Sequence, residues 1–290
     1  MGAHGHDEPG GVALPAAARA NLEQRLARGA FDLPLLPDVA TQVLALVHAP
    51  GADAARLSAV LHRDAALAGH VLRVANSPLF MPRTQIVSLQ QAVSRLGMRT
   101  LSEIVVTVSV QERVFRSARH QGLLRAEWRH SLAAAFFARE LARLRRRNVE
   151  GAYLGGLLHD VGRPIALSLL SEAEQEGGVA FTPGQLEDGM QTFHVRLGTT
   201  LAERWGLPAL VQAAIRWHHE PELAGEWSEV AMLACLADEL AQALVGVEDP
   251  AQIARIRQHP ALDVLNVYPD EMEQLVQSRA QLAAVLELSA

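Results

Sequence analysis

Hydrophobic residues recur along most of the chain at the spacing of amphipathic helices, and the alternation typical of strands is scarce. Alanine and leucine, which both favour helices, dominate these segments. We therefore expect an all-α protein. The predicted helices cover residues 12–30, 39–48, 54–63, 64–75, 89–96, 99–116, 127–147, 166–175, 182–205, 209–218, 228–244 and 250–259, with one or two more over 263–289.

Several helix ends carry start and stop signals. Asp38, Asp53 and Ser88 are predicted N-caps, because a short polar side chain can accept a hydrogen bond from a free amide of the first turn. Gly97 is predicted to end the helix before it in a left-handed conformation. Residues 76–80, with a proline at their centre, predict a turn.

The helices are predicted to form two lobes. His120-Gln121-Gly122 interrupts the helical pattern, so we expect an N-terminal helical lobe over residues 12–121, packed on a C-terminal helical lobe over residues 122–290. Residues 1–11, rich in Gly and His, predict a flexible tail. No apolar run reaches the ~20 residues of a membrane helix, and the tail lacks a basic-then-apolar signal pattern. We therefore expect no membrane partner. The chain has one cysteine, Cys235 in an apolar helical run, which excludes an internal disulfide and predicts a cytoplasmic protein.

Charge limits the partners that we expect. The net charge of -6 argues against a nucleic-acid partner, and the basic residues 143–147 are read as the cationic end of a helix. All 26 basic residues are arginine, so no lysine can contact a phosphate or donate a proton.

Gly155-Gly156-Leu157-Leu158-His159-Asp160-Val161-Gly162-Arg163 is the segment with the clearest chemical signature. An adjacent His-Asp pair offers one nitrogen and one oxygen to a cation, although such a pair can also simply cap a helix. Further candidate ligands lie on successive predicted helices: His130, His194, His218, His219 and Asp238.

Several separate motifs resemble the HDOD family in their order along the chain. These motifs are Leu33-Pro34-Leu35-Leu36-Pro37, Arg63-Asp64-Ala65-Ala66-Leu67, the segment 71–80 from Val71 to Phe80, and Gln91-Ala92-Val93-Ser94-Arg95-Leu96-Gly97. HDOD domains are bacterial signalling domains distantly related to the HD metal-dependent phosphohydrolases. The resemblance implies an N-terminal helical lobe packed on an HD-like helical lobe.

The resemblance also implies a metal site. His130, His159, Asp160 and Asp238 match the mononuclear HD ligand set, while His194, His218 and His219 match the additional ligands of the bimetal version. The resemblance implies one or two divalent ions, with iron, manganese or zinc as candidates, and in the bimetal version Asp160 would bridge the two ions. Histidines on apolar helix faces are, however, also common as ordinary hydrogen-bonded core residues.

Two departures from the HD-GYP enzymes count against catalysis. Arg163 stands where those enzymes carry a phosphate-contacting lysine, which makes Arg163 a candidate phosphate contact but a poor proton donor. No Gly-Tyr-Pro segment follows His218-His219-Glu220, so the cyclic-dinucleotide specificity linked to that segment is not carried over.

These observations give one leading hypothesis and two alternatives. The leading hypothesis is a non-catalytic HDOD signal-transduction module that binds a partner protein or a nucleotide-like ligand and retains the metal site. The first alternative is a divalent-metal-dependent phosphohydrolase or phosphodiesterase acting on a nucleotide or cyclic nucleotide. The second is a scaffold without any ligand. No residue is assigned to an organic cofactor, and no catalytic residue is assigned.

Overall fold

The computed structural model describes residues 13–47, 53–76, 84–116, 119–245 and 249–287, and all the regular secondary structure in these ranges is helical. The all-α prediction is therefore confirmed. None of the helices in these ranges is both long enough and apolar enough to cross a bilayer. The predicted tail, His48 and most of the predicted turn over 76–80 lie outside the described residues.

The N-terminal part contains five helices, namely α1 (Ala16–Arg28), α2 (Asp38–Val47), α3 (Ala54–Leu61), α4 (Ala65–Ala75) and α5 (Leu89–Val114). The predicted caps at Asp53 and Ser88 are confirmed, since their side chains accept hydrogen bonds from Arg56 N and Gln91 N. Asp38 is instead the first residue of α2.

The C-terminal part contains the remaining helices. Its elements are α6 (Gln121–Leu144), α7 (Val149–Leu158), α8 (Gly162–Gly177), α9 (Pro183–Arg204), α10 (Ala209–Trp217), a 3-10 helix (Pro221–Trp227), α11 (Ser228–Leu244), α12 (Pro250–Ile256), α13 (Pro260–Leu265), α14 (Pro269–Gln277) and α15 (Arg279–Glu287). Helix α6 packs extensively on α7 and α11, and α8 packs on α9. The helices that carry the candidate ligands are thus packed on one another in one part of the molecule.

Several predicted boundaries are wrong. The predicted interruption at residues 120–122 is the start of α6, which begins at Gln121 after His120 adopts a φ of 53°. Gly97 has a positive φ of 81° but an extended ψ of 161°, so α5 kinks there and does not end in a left-handed cap. Helix α8 begins at Gly162, before the predicted start, because Pro164 falls in the first turn, where a missing amide hydrogen costs nothing. Three helices, and not one or two, follow residue 259.

Asn76 at the end of α4 has a structural role. Its side-chain amide donates to the carbonyls of Leu72 and Ile86 and accepts from Ile86 N, with distances between 2.7 and 2.8 Å. These bonds fix the chain that leads into α5, as expected from a turn-forming asparagine.

Contacts on two sides join the N-terminal and C-terminal helices. Trp205 at the end of α9 donates its indole N–H to the carbonyl of Pro34 at 2.9 Å, and Thr107 of α5 is 2.8 Å from the Tyr153 hydroxyl of α7. Asp188 of α9 accepts from Leu14 N and from Arg19, both at 2.8 Å. The lobe boundary near residue 121 itself stays a prediction.

Candidate metal centre

Five helices bring the candidate ligands to one place. His130 lies on α6, His194 on α9 and Asp238 on α11. His159 and Asp160 directly follow the last residue of α7, and His218 and His219 follow α10. The seven side chains fall into two groups that share Asp160.

Two close backbone approaches set this arrangement. A Cβ atom at Gly156 would lie 2.5 Å from the carbonyl oxygen of Ala134 on α6, and one at Gly162 would lie 1.8 Å from the carbonyl oxygen of His194 on α9. Only glycine allows these helices to approach so closely. The glycines on either side of the His-Asp pair therefore hold it against α6 and α9.

The first group contains His130, His159, Asp160 and Asp238. His130 Nε2 lies 3.0 Å from Asp238 Oδ1 and 3.3 Å from His159 Nε2. His159 Nε2 is 3.5 Å from both Asp160 Oδ2 and Asp238 Oδ1. Gln242 on α11 donates to Asp238 Oδ1 at 2.8 Å and orients that carboxylate.

The second group contains the other oxygen of Asp160 with His194, His218 and His219. Asp160 Oδ1 lies 3.4 Å from His194 Nε2 and 3.5 Å from His218 Nε2. His194 Nε2 and His219 Nε2 are 2.9 Å apart. The two carboxylate oxygens of Asp160 thus face different groups, which is the geometry of a bridging carboxylate.

Three of the histidines have a fixed tautomer. The Nδ1 atoms of His159, His194 and His218 lie 2.8 to 2.9 Å from the carbonyl oxygens of Gly156, Gln191 and Ile215. Because a carbonyl oxygen only accepts, each Nδ1 carries the hydrogen, and each neutral ring presents a lone pair on Nε2. Metal-binding histidines are held by such outer hydrogen bonds.

Electrostatics within the cluster favour a cation. Burial opposes charge on His159, but the carboxylates of Asp160 and Asp238 outweigh it and raise its pKa to about 9. Burial together with the neighbouring His218 and His194 lowers the pKa of His219 to about 4. Although burial alone would raise the pKa of Asp160, the charge of His159 lowers it below its usual range.

The residues fit a pair of divalent ions. Asp160 Oδ1 and His218 Nε2 are buried and have no hydrogen-bond partner among the described residues, although they face each other at 3.5 Å. A metal bond of about 2.1 Å places neighbouring ligand atoms roughly 3 Å apart, close to the 2.9 to 3.5 Å found here. An ion between these atoms would satisfy both of them.

Arg163 lies beside the cluster but is engaged by acidic partners. Its Nε and Nη2 atoms donate to both oxygens of Glu127 at 2.7 and 3.1 Å. Nη2 also donates to Glu187 at 2.7 Å, and Nη1 donates to Gln191 at 2.9 Å. Asp160 Oδ2 lies 3.8 Å from Nε. Despite burial, the Glu127 contact raises the Arg163 pKa above its usual range, so its cation is held within the protein.

The partners of Arg163 are not among the predicted site residues. Glu127 precedes His130 by three residues on α6, and Glu187 and Gln191 precede His194 by seven and three on α9. Residues at these spacings share a helix face, so helical periodicity around the predicted ligands would have indicated them.

Two histidines of the N-terminal part and the cysteine lie outside the cluster. His70 is on α4 and contacts Glu112 at 3.6 Å, and His62 caps the end of α3. Burial raises the pKa of Cys235 to about 12, which makes it an inert thiol, as its apolar surroundings predict.

The fold and the cluster together define an all-helical protein with a His/Asp cluster that could hold a metal ion. The family model described as the HDOD domain matches residues 33–221, and the chain belongs to this family. The predicted resemblance is thereby confirmed.

Proteins of similar sequence and fold come from several bacteria. An uncharacterized protein from Treponema pallidum is 26% identical over 261 residues, which is 86% of this chain and 48% of that protein, so this chain spans about half of its length. An HDOD domain protein of unknown function from Geobacter sulfurreducens shares the fold with a TM-score of 0.70, 24% identity and coverage of 94% and 99% of the two chains.

A third similar protein, from Shewanella amazonensis, carries the provisional name of a metal-dependent phosphohydrolase. Its structure matches with a TM-score of 0.70 and 21% identity, over 92% of this chain and 97% of that one. At these identities the structures establish a shared fold.

Proposed function

We propose that this HDOD chain is a non-catalytic signal-transduction module. Its His/Asp centre binds one or two divalent ions, and helix α9 transmits the state of the centre to the N-terminal helices. A partner protein or a nucleotide-like ligand would bind at those helices. The observation that carries the proposal is that α9 contacts both the centre and the N-terminal part.

Helix α9 makes contacts that matter for this proposal at three places along its length. His194 in its second half belongs to the metal cluster. Near its start, Glu187 holds Arg163, and the adjacent Asp188 holds Leu14 N and Arg19. At its end, Trp205 donates to the carbonyl of Pro34. Any movement of His194 therefore acts on a helix that is anchored to the N-terminal part at both ends.

The donor atoms support the choice of metal. Imidazole nitrogens with carboxylate oxygens suit iron, manganese and zinc. In this proposal His130, His159, Asp160 and Asp238 hold one ion, while Asp160, His194, His218 and His219 hold the other. The outer hydrogen bonds of the histidines keep the Nε2 atoms aimed at these positions.

The surroundings of Arg163 support the absence of turnover. Its guanidinium is the cation in contact with the bridging Asp160, and two glutamates and one glutamine occupy its donors. A substrate phosphate would meet the acidic Glu127 and Glu187 at this place. The charges thus oppose a phosphoester more than they attract it.

The test is hydrogen exchange of α1 in metal-free and manganese-loaded protein. We expect slower exchange of α1 amides in the loaded protein. In Trp205→Phe and Asp188→Asn, we expect that slowing to shrink while the bound manganese is unchanged. Trp227→Phe, a change at an exposed tryptophan on the 3-10 helix, is the matched control. Equal exchange with and without manganese in the wild type would rule out relay through α9.

The second candidate function is a divalent-metal-dependent phosphohydrolase or phosphodiesterase acting on a nucleotide or cyclic nucleotide. The complete, carboxylate-bridged ligand set favours it. Bound divalent ions would supply Lewis-acid polarisation of a phosphoryl group. Arg163 could contact that phosphate after exchanging Glu187, its half-exposed partner, for the substrate.

A phosphoester screen separates the two candidates. Manganese-, iron- and zinc-loaded protein is incubated with nucleotides, cyclic nucleotides and a chromogenic phosphodiester. Product release that disappears in Asp160→Asn would establish the hydrolase. Stoichiometric metal without any product release, together with metal-dependent exchange of α1, would favour the signalling module.

A further inference from the structure

A second candidate site, separate from the metal cluster, lies between helices of the N-terminal and C-terminal parts. A cavity of about 50 Å³ opens between α4, α5, α6, α7 and α15. Its walls are mostly hydrocarbon, and three aromatic rings contribute to them, those of Trp128, Phe136 and Tyr153. None of the metal ligands lines it.

Glu103 of α5 places a carboxyl group on this apolar cavity. The residue is only 7% exposed, and its carboxyl group lies on a mostly apolar wall. Arg139, which also lines the cavity, is the cation with the largest effect on the pKa of Glu103, and Glu150 adds a negative charge that acts in the opposite direction. A carboxylate in such surroundings is costly to keep charged unless hydrogen-bond donors and positive charge compensate it.

The two hydroxyl groups near Glu103 are committed elsewhere. The Thr107 hydroxyl donates to the carbonyl of Glu103 at 2.7 Å, so the Tyr153 hydroxyl, 2.8 Å from Thr107 Oγ1, must be the donor of that pair. Neither group can therefore donate to the Glu103 carboxylate. Trp128 also lines the cavity, and its buried indole N–H has no acceptor among the described residues.

We propose that this cavity binds a small primary ammonium ion, with Glu103 as its counter-ion and the aromatic rings around its hydrocarbon part. An ammonium group supplies N–H donors for the carboxylate and adds to the positive charge of Arg139. Aromatic faces attract such cations, and the Arg139 guanidinium already lies over two of these rings. A divalent metal ion does not fit, because it needs about six oxygen ligands. A ligand oxygen would also give the Trp128 N–H an acceptor.

The size of the cavity limits the ligand to a few heavy atoms beyond its head group. Since a water needs about 12 Å³ by this measure, 50 Å³ holds roughly four atoms of that size. Ethanolamine is a suitable probe, because it combines an ammonium group with a hydroxyl group in four heavy atoms. We expect a dissociation constant on the order of 1 mM, which is within reach of so small a ligand.

The test is calorimetric titration of the full chain with three matched probes. Ethanolamine should bind, ethylene glycol, which replaces the ammonium with a hydroxyl, should bind at least ~10-fold more weakly, and n-propylamine, which lacks the hydroxyl, should fall between them. Glu103→Gln should remove most of the preference for ethanolamine over ethylene glycol. Glu112→Gln, at the half-exposed acid beside His70, should change it less than about threefold.

Proton release gives an independent reading. Burial raises the pKa of Glu103 to about 7. The charges of Arg139 and Arg143 act to lower this pKa, and the charge of Glu150 acts to raise it. A bound cation favours the carboxylate, so ethanolamine should release a proton near pH 6 and bind more tightly as the pH rises to about 8. His70 and Tyr153 also line the cavity. Loss of the proton release in Glu103→Gln would assign it to Glu103.

The experiment is independent of the proposed function. Chelator-treated and manganese-loaded protein should both bind ethanolamine, so a chain without any metal affinity would leave this proposal standing. Equal affinity for ethanolamine and ethylene glycol would overturn the ammonium site. Undiminished selectivity in a folded Glu103→Gln variant, or no detectable heat with any of the amines, would also overturn it.

Discussion

Single buried side chains make the stability of the protein depend on pH, and Glu174 is a clear case away from the metal cluster. Its side chain is 2% exposed and accepts hydrogen bonds from Phe181 N and His120 Nε2, both at 2.8 Å. Burial opposes its charge, but these two bonds and Arg119 lower its pKa below the usual 4.5. The carboxylate thereby ties α8 to the start of α6 and to the segment before α9.

The sign of the pH effect follows from that lowered pKa. A carboxyl group with a depressed folded-state pKa stabilises the protein above its unfolded pKa, and this contribution is lost as the pH falls through the folded value. We expect Glu174→Gln to cost about 1–3 kcal/mol near pH 7 and to flatten the acid side of the stability curve. Denaturant titrations between about pH 3 and 7 measure both effects. Glu176→Gln, at an exposed residue of α8, should change neither of them.

Arg163 gives a second prediction for single residues. Glu127→Gln combined with Glu187→Gln removes both carboxylates from the guanidinium. The N–H donors of Arg163 are then free to form paired hydrogen bonds with a phosphate. We expect manganese-loaded double variant to bind inorganic phosphate at least about 10-fold more tightly than wild type. Calorimetry measures the change, and Glu229→Gln, at an exposed ion pair with Arg147, is the control. Unchanged phosphate affinity would show that the two glutamates do not restrain Arg163.

At the scale of elements, the contact between α8 and α9 positions half of the cluster. Gly162→Ala would place a methyl group 1.8 Å from the carbonyl oxygen of His194 and force the helices apart. We expect a loss of roughly 3 kcal/mol or more in unfolding free energy and loss of the ion shared by Asp160 and His194. Urea unfolding and elemental analysis measure the two effects.

Gly177 offers the matched control on the same helix. It lies near the end of α8, and no atom lies within 4 Å of a Cβ placed there. Alanine should therefore leave the metal content unchanged and cost nothing, because glycine is the poorer helix former. A Gly162→Ala variant as stable and as metal-rich as Gly177→Ala would contradict the close-approach argument.

The elements also show what the sequence could and could not predict. The start of α9 was predicted correctly because Thr182 and Gln185 form a capping box that adjacent residues determine. The start of α6 was missed, because residues 120–122 read as an interruption and only the fold shows that Gln121 already joins the helix. A sequence signal thus predicts a helix boundary correctly where a cap or a proline acts on the residues adjacent to it.

The site, too, has features that the sequence predicts and features that it does not predict. The seven candidate ligands were identified through motif resemblance, and the structure brings all of them together. The contacts that tune them come from residues far apart in sequence: Glu127 and Arg163 are 36 positions apart, and Glu187 and Arg163 are 24 apart. Such pairs depend on how α6, α8 and α9 cross, which the pattern of a single sequence does not specify.

At the scale of the whole molecule, the fold does not depend on the metal centre for its core. Leucine, valine and alanine side chains form a continuous buried cluster from α1 to α15. We therefore expect chelator-treated protein to keep its helical circular dichroism while losing stability. Each ion at about 100 times its dissociation constant contributes about 2.7 kcal/mol.

Thermal unfolding with and without chelator measures that contribution. Asp160→Asn lacks the bridging carboxylate, so its melting temperature should respond little to manganese or to chelator. A wild-type chain that loses its helical signal on chelation would show instead that the metal is required for folding, as in small zinc domains.

The length of α9 has a mechanical consequence. Its 22 residues form a rod about 33 Å long, and His194 lies roughly 16 Å from the end that carries Trp205. A tilt of about 5° at His194 would swing that end by more than 1 Å, comparable to the helix shifts of known switches. The Trp205–Pro34 hydrogen bond, at 2.9 Å, breaks beyond about 3.5 Å. In the proposed relay, a slight change of coordination angle at His194 would therefore be enough to break this hydrogen bond to the N-terminal part.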